Sequence, residues 1–205
     1  MKQARDGVMD GKFAHHYDKH IFKEGITNTF LERNVKPGSK IADLCCGSGI
    51  SIEFLKNKAI EIVGVDAAKE MVKLSRIRFS GDKRIKIIEA YAHNTGLKSN
   101  YFDYVLVRMS FHHIKNKAAV FDEIYRILKP NGYLIVMDRF KRFNWIITYA
   151  YDFFRELIKR HPLMGHHYVF ISDFYKTTDG KFMKKYERKS AKEVYYKANI
   201  IMQKT

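Results

Sequence analysis

Thiols are scarce in this chain of 205 residues: its two cysteines, Cys45 and Cys46, are neighbours. Adjacent cysteines rarely bridge to each other. Without a third or fourth thiol, neither a disulfide framework nor a thiolate metal cage is expected. Proline is also rare, at three residues, and the hydrophobic fraction of 46% belongs to a folded chain rather than a disordered one. No apolar run approaches the roughly 20 residues that span a bilayer. Residues 1–6 lack the apolar stretch of a secretory signal, so a cytoplasmic protein is expected. Acidic residues are outnumbered 22 to 38, leaving a formal charge of +16. That balance suits nucleic acid, an acidic membrane surface or phosphorylated metabolites, although lysines spread over a solvated surface give the same figure. Repeats and low-complexity linkers are missing, so 1–205 reads as one domain.

What is present centres on Ile41-Ala42-Asp43-Leu44-Cys45-Cys46-Gly47-Ser48-Gly49. An apolar strand runs into an acid and then into two glycines one residue apart. Glycine reaches positive φ easily and lets a ligand approach the backbone amides. A helix-compatible run, Ile50-Ser51-Ile52-Glu53-Phe54-Leu55, follows. A second strand then ends in Asp66, 23 residues beyond Asp43. A carboxylate there can accept from both hydroxyls of a ribose. The alternative is a structural turn with a helix-capping acid.

Strands are predicted over 40–44, 61–66, 84–90, 104–109 and 133–138. Helices are predicted near 50–58, 67–79 and 117–128, and Lys129-Pro130-Asn131-Gly132 forms a stop-and-turn signal. This alternation predicts an α/β doubly wound, mostly parallel sheet with helices on both faces and the ligand site at the strands' carboxyl ends. Residues 195–202 read as a last strand, paired with 182–189.

Three histidine pairs, His15-His16, His112-His113 and His166-His167, invite a metal reading. Neighbouring side chains diverge, and the spacing does not bring ligands together, so no metal is expected.

Four stretches resemble the class I S-adenosylmethionine-dependent methyltransferases, closest to the small-molecule group of ubiquinone- and menaquinone-biosynthesis type. They are the loop 41–49, Val63-Gly64-Val65-Asp66 with its following helix, Glu89-Ala90-Tyr91-Ala92 leading to Phe102-Asp103, and the span from Ser110-Phe111-His112-His113 through Lys129-Pro130-Asn131-Gly132. The resemblance implies a seven-stranded Rossmann-like sheet with an antiparallel last strand, and S-adenosyl-L-methionine as cofactor. It implies that 1–38 covers the cofactor, 39–138 binds it, 139–182 forms a lid and acceptor region, and 183–205 supplies the last strands. Asp43, Gly47 and Gly49 would surround the methionine and ribose, and Asp66 would hold the ribose hydroxyls. Ala67 and Met71 would flank the adenine, and the Ala92 backbone would meet its edge. Arg108 would face the methionine moiety, and Tyr17 would fold over the cofactor.

Two positions depart from the family pattern. Cys45 stands where glycine is usual, which a side chain tolerates at negative φ. Tyr91 replaces an aspartate that accepts from the adenine amino group; its phenol could accept, or its ring could pack on the base. A dinucleotide suits the loop less well, because the third glycine is missing and Glu53 stands where a small residue is wanted.

Methyl transfer from a sulfonium needs alignment and exclusion of water. A base is required only where the attacking atom must lose a proton. His112 and His113 follow the fourth strand and are candidates for that base or for orienting the acceptor, or else cap the next helix. Neither an Asn-Pro-Pro-Tyr motif nor a Pro-Cys nucleophile is present, which favours a small-molecule acceptor. The aromatics and bases of 140–175, including Trp145, Tyr149, Phe153 and Arg155, suggest a ring-bearing or anionic one. The i, i+4, i+8 aromatic spacing also fits a buried stripe. Two other readings stay open: an RNA methyltransferase or RNA-binding protein, and a non-catalytic cofactor-binding subunit.

Overall fold

A computed structural model describes residues 11–23, 28–141, 170–178, 180–192 and 195–205. In chain order these form α1 (Lys12–Lys23), α2 (Thr29–Asn34), β1 (Ser39–Leu44), α3 (Ile50–Leu55), β2 (Ala59–Asp66), α4 (Lys69–Arg78), β3 (Ile85–Glu89) and β4 (Phe102–Arg108). A 3-10 turn (Phe111–His113), α5 (Lys117–Ile127), β5 (Leu128–Lys141), α6 (Ile171–Thr177), β6 (Phe182–Lys192) and β7 (Tyr195–Lys204) complete them.

The strands join in one seven-stranded sheet of order β3-β2-β1-β4-β5-β7-β6. β1 pairs in parallel with β2 and β4, β2 with β3, and β4 with β5, whereas β7 runs antiparallel to both β5 and β6. The expected antiparallel last strand is present. Chain progression reverses direction across the sheet between β1 and β4, and such a reversal opens a crevice at the strands' carboxyl ends.

Alternate residues of each strand feed opposite faces, as the two-residue period requires. Ala42, Leu44, Val63, Val65, Val105, Val107, Leu134 and Val136 pack against α5 and α6 through Phe121, Ile124 and Phe174. Ile41, Ile62, Tyr104, Leu106 and Ile135 pack on the other face against Leu31, Val35, Ile52 and Leu55 of the α2 and α3 region. Strands covered on both faces read as near-continuous apolar runs, and β1 and β4 do so. The register aligns their tips: Leu44 lies beside Val65 and Val107, and Arg108 beside Met137.

Lys129-Pro130-Asn131-Gly132 turns as expected, with Asn131 at φ 62°. It does so as a bulge inside β5, between the pairings Phe102↔Leu128 and Tyr104↔Tyr133, so this strand starts earlier than predicted. Among the described residues no helix is long and apolar enough to cross a membrane.

Candidate active site

The loop after β1 is shaped by three residues at positive φ: Cys45 (57°), Gly47 (56°) and Gly49 (93°). Cys45 thus stands at positive φ, not at the negative φ under which its side chain is readily tolerated. Cys46 N donates to Val65 O at 3.1 Å, extending the ladder to β2, and Ser110 Oγ donates to the Cys45 carbonyl at 3.3 Å. These bonds hold Cys45 in a left-handed turn that costs a non-glycine residue about 1–2 kcal/mol. The two glycines are needed for different reasons. At Gly47 an added Cβ would meet nothing nearer than Met71 Sδ at 3.9 Å, so the space above it is open. At Gly49 it would fall 2.3 Å from Phe79 Cε2 and 2.9 Å from Ser75 Oγ, so no side chain fits.

Two carboxylates flank this loop. Asp66, the last residue of β2, accepts from Gly47 N at 2.7 Å through Oδ2 and from Ala68 N at 2.8 Å through Oδ1. Burial raises its pKa, and the backbone bonds oppose the rise. Asp43 is 1% exposed, and its Oδ2 has no hydrogen-bond partner among the described residues. Burial pushes its pKa up to about 7, with Arg108 opposing and Asp66 adding to the rise. Arg108 ends β4. Beside them Ala67 is half-buried, and Met71 packs with Ala68 on Ala14 of α1. Burial, then the charges of Asp66, Asp43 and Asp138, push the Cys45 thiol above its ordinary pKa.

α1 is fastened over α4. Arg78 Nη2 lies 2.9 and 3.0 Å from the two Asp18 carboxylate oxygens, Nη1 donates to the Ser48 carbonyl, and the guanidinium sits 3.6 Å above the Phe22 ring. Tyr17 belongs to the same helix, but its side chain lies outside the described residues. So do Trp145, Tyr149, Phe153, Arg155 and the pair His166-His167, and with them nearly all of the expected acceptor lid. Beyond β3, Tyr91 is 47% exposed and stacks on His93 with centroids 5.5 Å apart, while Ala92 is buried. That turn is held by a residue the sequence reading passed over: Glu123 of α5 accepts from Thr95 N at 2.9 Å and from the Thr95 hydroxyl. Its Arg126 partner, first among the causes, lowers the Glu123 pKa to about 2.

On the β4 side, Met109 also turns at positive φ (51°). His112 and His113 follow in the 3-10 turn, with ring centroids 4.1 Å apart. His112 is buried, and its Nδ1 lies 2.5 Å from Asp138 Oδ1, a second acid missed in the sequence. Of the remaining histidine pair, His15 lies 3.6 Å from Glu70 on α4, and both His15 and His16 are exposed.

Residues 42–136 match the family model described as a methyltransferase domain. Over that stretch, just under half of its length, the chain is similar to methyltransferase domains. The demethylmenaquinone methyltransferase of Staphylococcus saprophyticus is 26% identical over 137 residues, 65% of this chain and 58% of that protein. The chain spans roughly half to three fifths of the length of the curated relatives it matches, among them several demethylmenaquinone methyltransferases. The fold recurs in solved structures of methyltransferases. An S-adenosylmethionine-dependent methyltransferase from Methanosarcina mazei has a TM-score of 0.69 at 19% identity, covering 87% of this chain and 98% of its own. The geranyl diphosphate C-methyltransferase of Streptomyces coelicolor, solved with S-adenosyl-L-homocysteine, scores 0.71 at 11% identity, over 86% and 76%.

Proposed function

We propose that this protein moves a methyl group from S-adenosyl-L-methionine to a small, ring-bearing acceptor. The observation that carries the reading is the buried Oδ2 of Asp43, without a partner among the described residues, beside the left-handed loop. A carboxylate oxygen buried without a partner is costly, and a cationic ligand group bound there would offset the cost. Open space at Gly47 and the remaining lone pairs of Asp66 suit the same ligand, because each carboxylate oxygen has room for a second hydrogen bond. The residues thus fit a sulfonium nucleoside, which when bound would supply an already activated methyl group.

In this reading Asp66 holds the ribose hydroxyls, and the Gly47 and Gly49 backbone lies along the ligand. Asp43 and Arg108 face its amino acid part. Ala67, Met71 and Ala92 wall the adenine, Tyr91 takes the place of the usual aspartate, and Tyr17 covers the site. Cys45 shapes the loop from its left-handed turn. His112 and His113 stand on the acceptor side. Residues 39–138 form the cofactor-binding core and 139–182 the lid. The two free thiols suit a reducing compartment, so a cytoplasmic setting belongs to the proposal.

The test begins with calorimetry. S-adenosylhomocysteine is expected to bind in the micromolar range, and no detectable binding removes the transferase reading. Labelled methyl donor is then offered with demethylmenaquinone, the compound in the relatives' name, reduced to its quinol with dithionite, and separately with RNA. Methyl incorporation into the quinol supports the small-molecule reading. Incorporation into RNA alone, falling steeply with salt, replaces it.

A further inference from the structure

Asp138 lies toward the end of β5, is 2% exposed and has three hydrogen-bond partners. Phe111 N donates to Oδ2 at 2.6 Å, and Arg139 N donates to Oδ1 at 2.6 Å, the same oxygen that His112 Nδ1 approaches at 2.5 Å. Capping the 3-10 turn would require only the Phe111 bond. With N–H donors already at both oxygens, the imidazole faces a group that accepts. In the neutral ring Nδ1 therefore carries the proton and Nε2 the lone pair.

This pair belongs to the same strand edge as the loop after β1. Ser110, two residues before His112, donates to the Cys45 carbonyl at 3.3 Å, and the Asp138 charge is felt at the Cys45 thiol. The His113 ring lies beside that of His112 in the turn, tilted by 42° to it. Lys117 approaches from α5, its ammonium on the Ile114 carbonyl at 2.5 Å and 5.3 Å from the Phe111 ring centroid. Met109, at positive φ, begins the turn that presents both histidines. A strained backbone at such an edge marks a site held in shape for use.

We propose that His112 is the proton acceptor of the transferase and Asp138 its positioning residue. The acceptors are then compounds whose attacking atom carries a proton: a hydroxyl, a phenol or an activated ring carbon. At a hydroxyl or phenol the O–H bond breaks and leaves its electron pair on the oxygen that attacks the methyl carbon; at a ring carbon a π pair attacks and the C–H bond breaks afterwards, returning its pair to the ring. In either case the methyl–sulfur bond breaks as the new bond forms, and its pair stays on sulfur in the departing thioether. The proton moves to His112 Nε2 and then to solvent. One positive charge enters with the methyl donor and leaves as that proton. The inference rests on the transferase reading above.

The deciding measurement needs no turnover. In protein labelled with ¹⁵N-histidine and saturated with S-adenosylhomocysteine, long-range ring correlations report which nitrogen bears the proton. His112 is expected as the Nδ1–H form in wild type and in Asp138→Glu. In Asp138→Asn it should convert to Nε2–H, because the amide donates to Nδ1. With 1,4-naphthohydroquinone as acceptor, Asp138→Asn and His112→Gln should each lower kcat by about a hundredfold or more. KM and S-adenosylhomocysteine affinity should stay within about threefold, and the double variant should be no slower than His112→Gln, as expected for groups acting as a unit. His113→Gln should remain at least about tenfold faster than His112→Gln. Should Asp138→Asn not fold, the wild-type spectrum and His112→Gln carry the test. An Nε2–H His112 in wild type overturns the proposal, as do unchanged kcat values or equal losses at the two histidines. So does a wild type that binds S-adenosylhomocysteine yet methylates neither the hydroquinone nor catechol. Failure of wild type to bind S-adenosylhomocysteine overturns the transferase reading itself.

Discussion

Asp66 holds the amide of Gly47 across 19 residues of chain, with Oδ2 accepting at 2.7 Å while Oδ1 accepts from Ala68 N at 2.8 Å. The carboxylate assigned to the ribose is therefore also the brace of the loop that lies along the ligand. Asp66→Ala should weaken S-adenosylhomocysteine binding at least about tenfold. It should also cost about 1–3 kcal/mol of stability, since two amides lose their acceptor. Calorimetry and urea denaturation read the two effects separately. Wild-type affinity in this variant would remove Asp66 from the ribose.

Asp43 should make stability depend on pH in a defined direction. Its folded pKa of about 7 lies above the ordinary carboxylate value, so the folded chain binds the extra proton. That contribution is full below about pH 4 and is lost as pH rises through 7. Asp43→Asn removes it. Between pH 5 and pH 8 the variant should gain about 2–3 kcal/mol relative to wild type. Parallel denaturation curves at the two pH values check this, and a constant difference would contradict the burial argument.

Cys45→Gly should stabilise the protein, because glycine occupies φ 57° without the Cβ conflict. A gain near 1 kcal/mol, or about 2–4 °C in Tm, is expected. Wild-type Cys45 should react slowly with iodoacetamide at pH 8 until denaturant is added, since burial and three nearby acids disfavour its thiolate. Rapid alkylation of the folded chain would contradict that environment.

Lys204 is 6% exposed, and its ammonium donates to Asn100 Oδ1 at 2.8 Å, Tyr125 O at 2.7 Å and Leu128 O at 2.8 Å. It closes the carboxyl end of α5 with a charge of the favourable sign. Lys204→Met should cost about 2–3 kcal/mol by leaving these acceptors unbonded, and should leave S-adenosylhomocysteine affinity unchanged. Thermal denaturation and calorimetry test both halves.

The sheet was legible because its cues are local. Apolar runs ending in Asp43 and Asp66, the glycines after the first strand and the Lys129-Pro130-Asn131-Gly132 turn each act within a few residues. The φ of Cys45 was not legible, since it is imposed by Val65 and Ser110, far away in the chain. Asp138 was passed over for a related reason. An acid ending the fifth strand carries no signal until β4 and β5 are known to be neighbours, which brings it to His112. Glu123 likewise resembled an ordinary helix-surface acid until the Thr95 turn was seen to rest on it.

Arg78 serves two masters at once, the Asp18 carboxylate on the first helix and the Ser48 carbonyl in the glycine turn. Replacing Arg78 would therefore remove a support from the helix and from the turn together. The packing of the first helix and the shape of the glycine turn thus share one side chain.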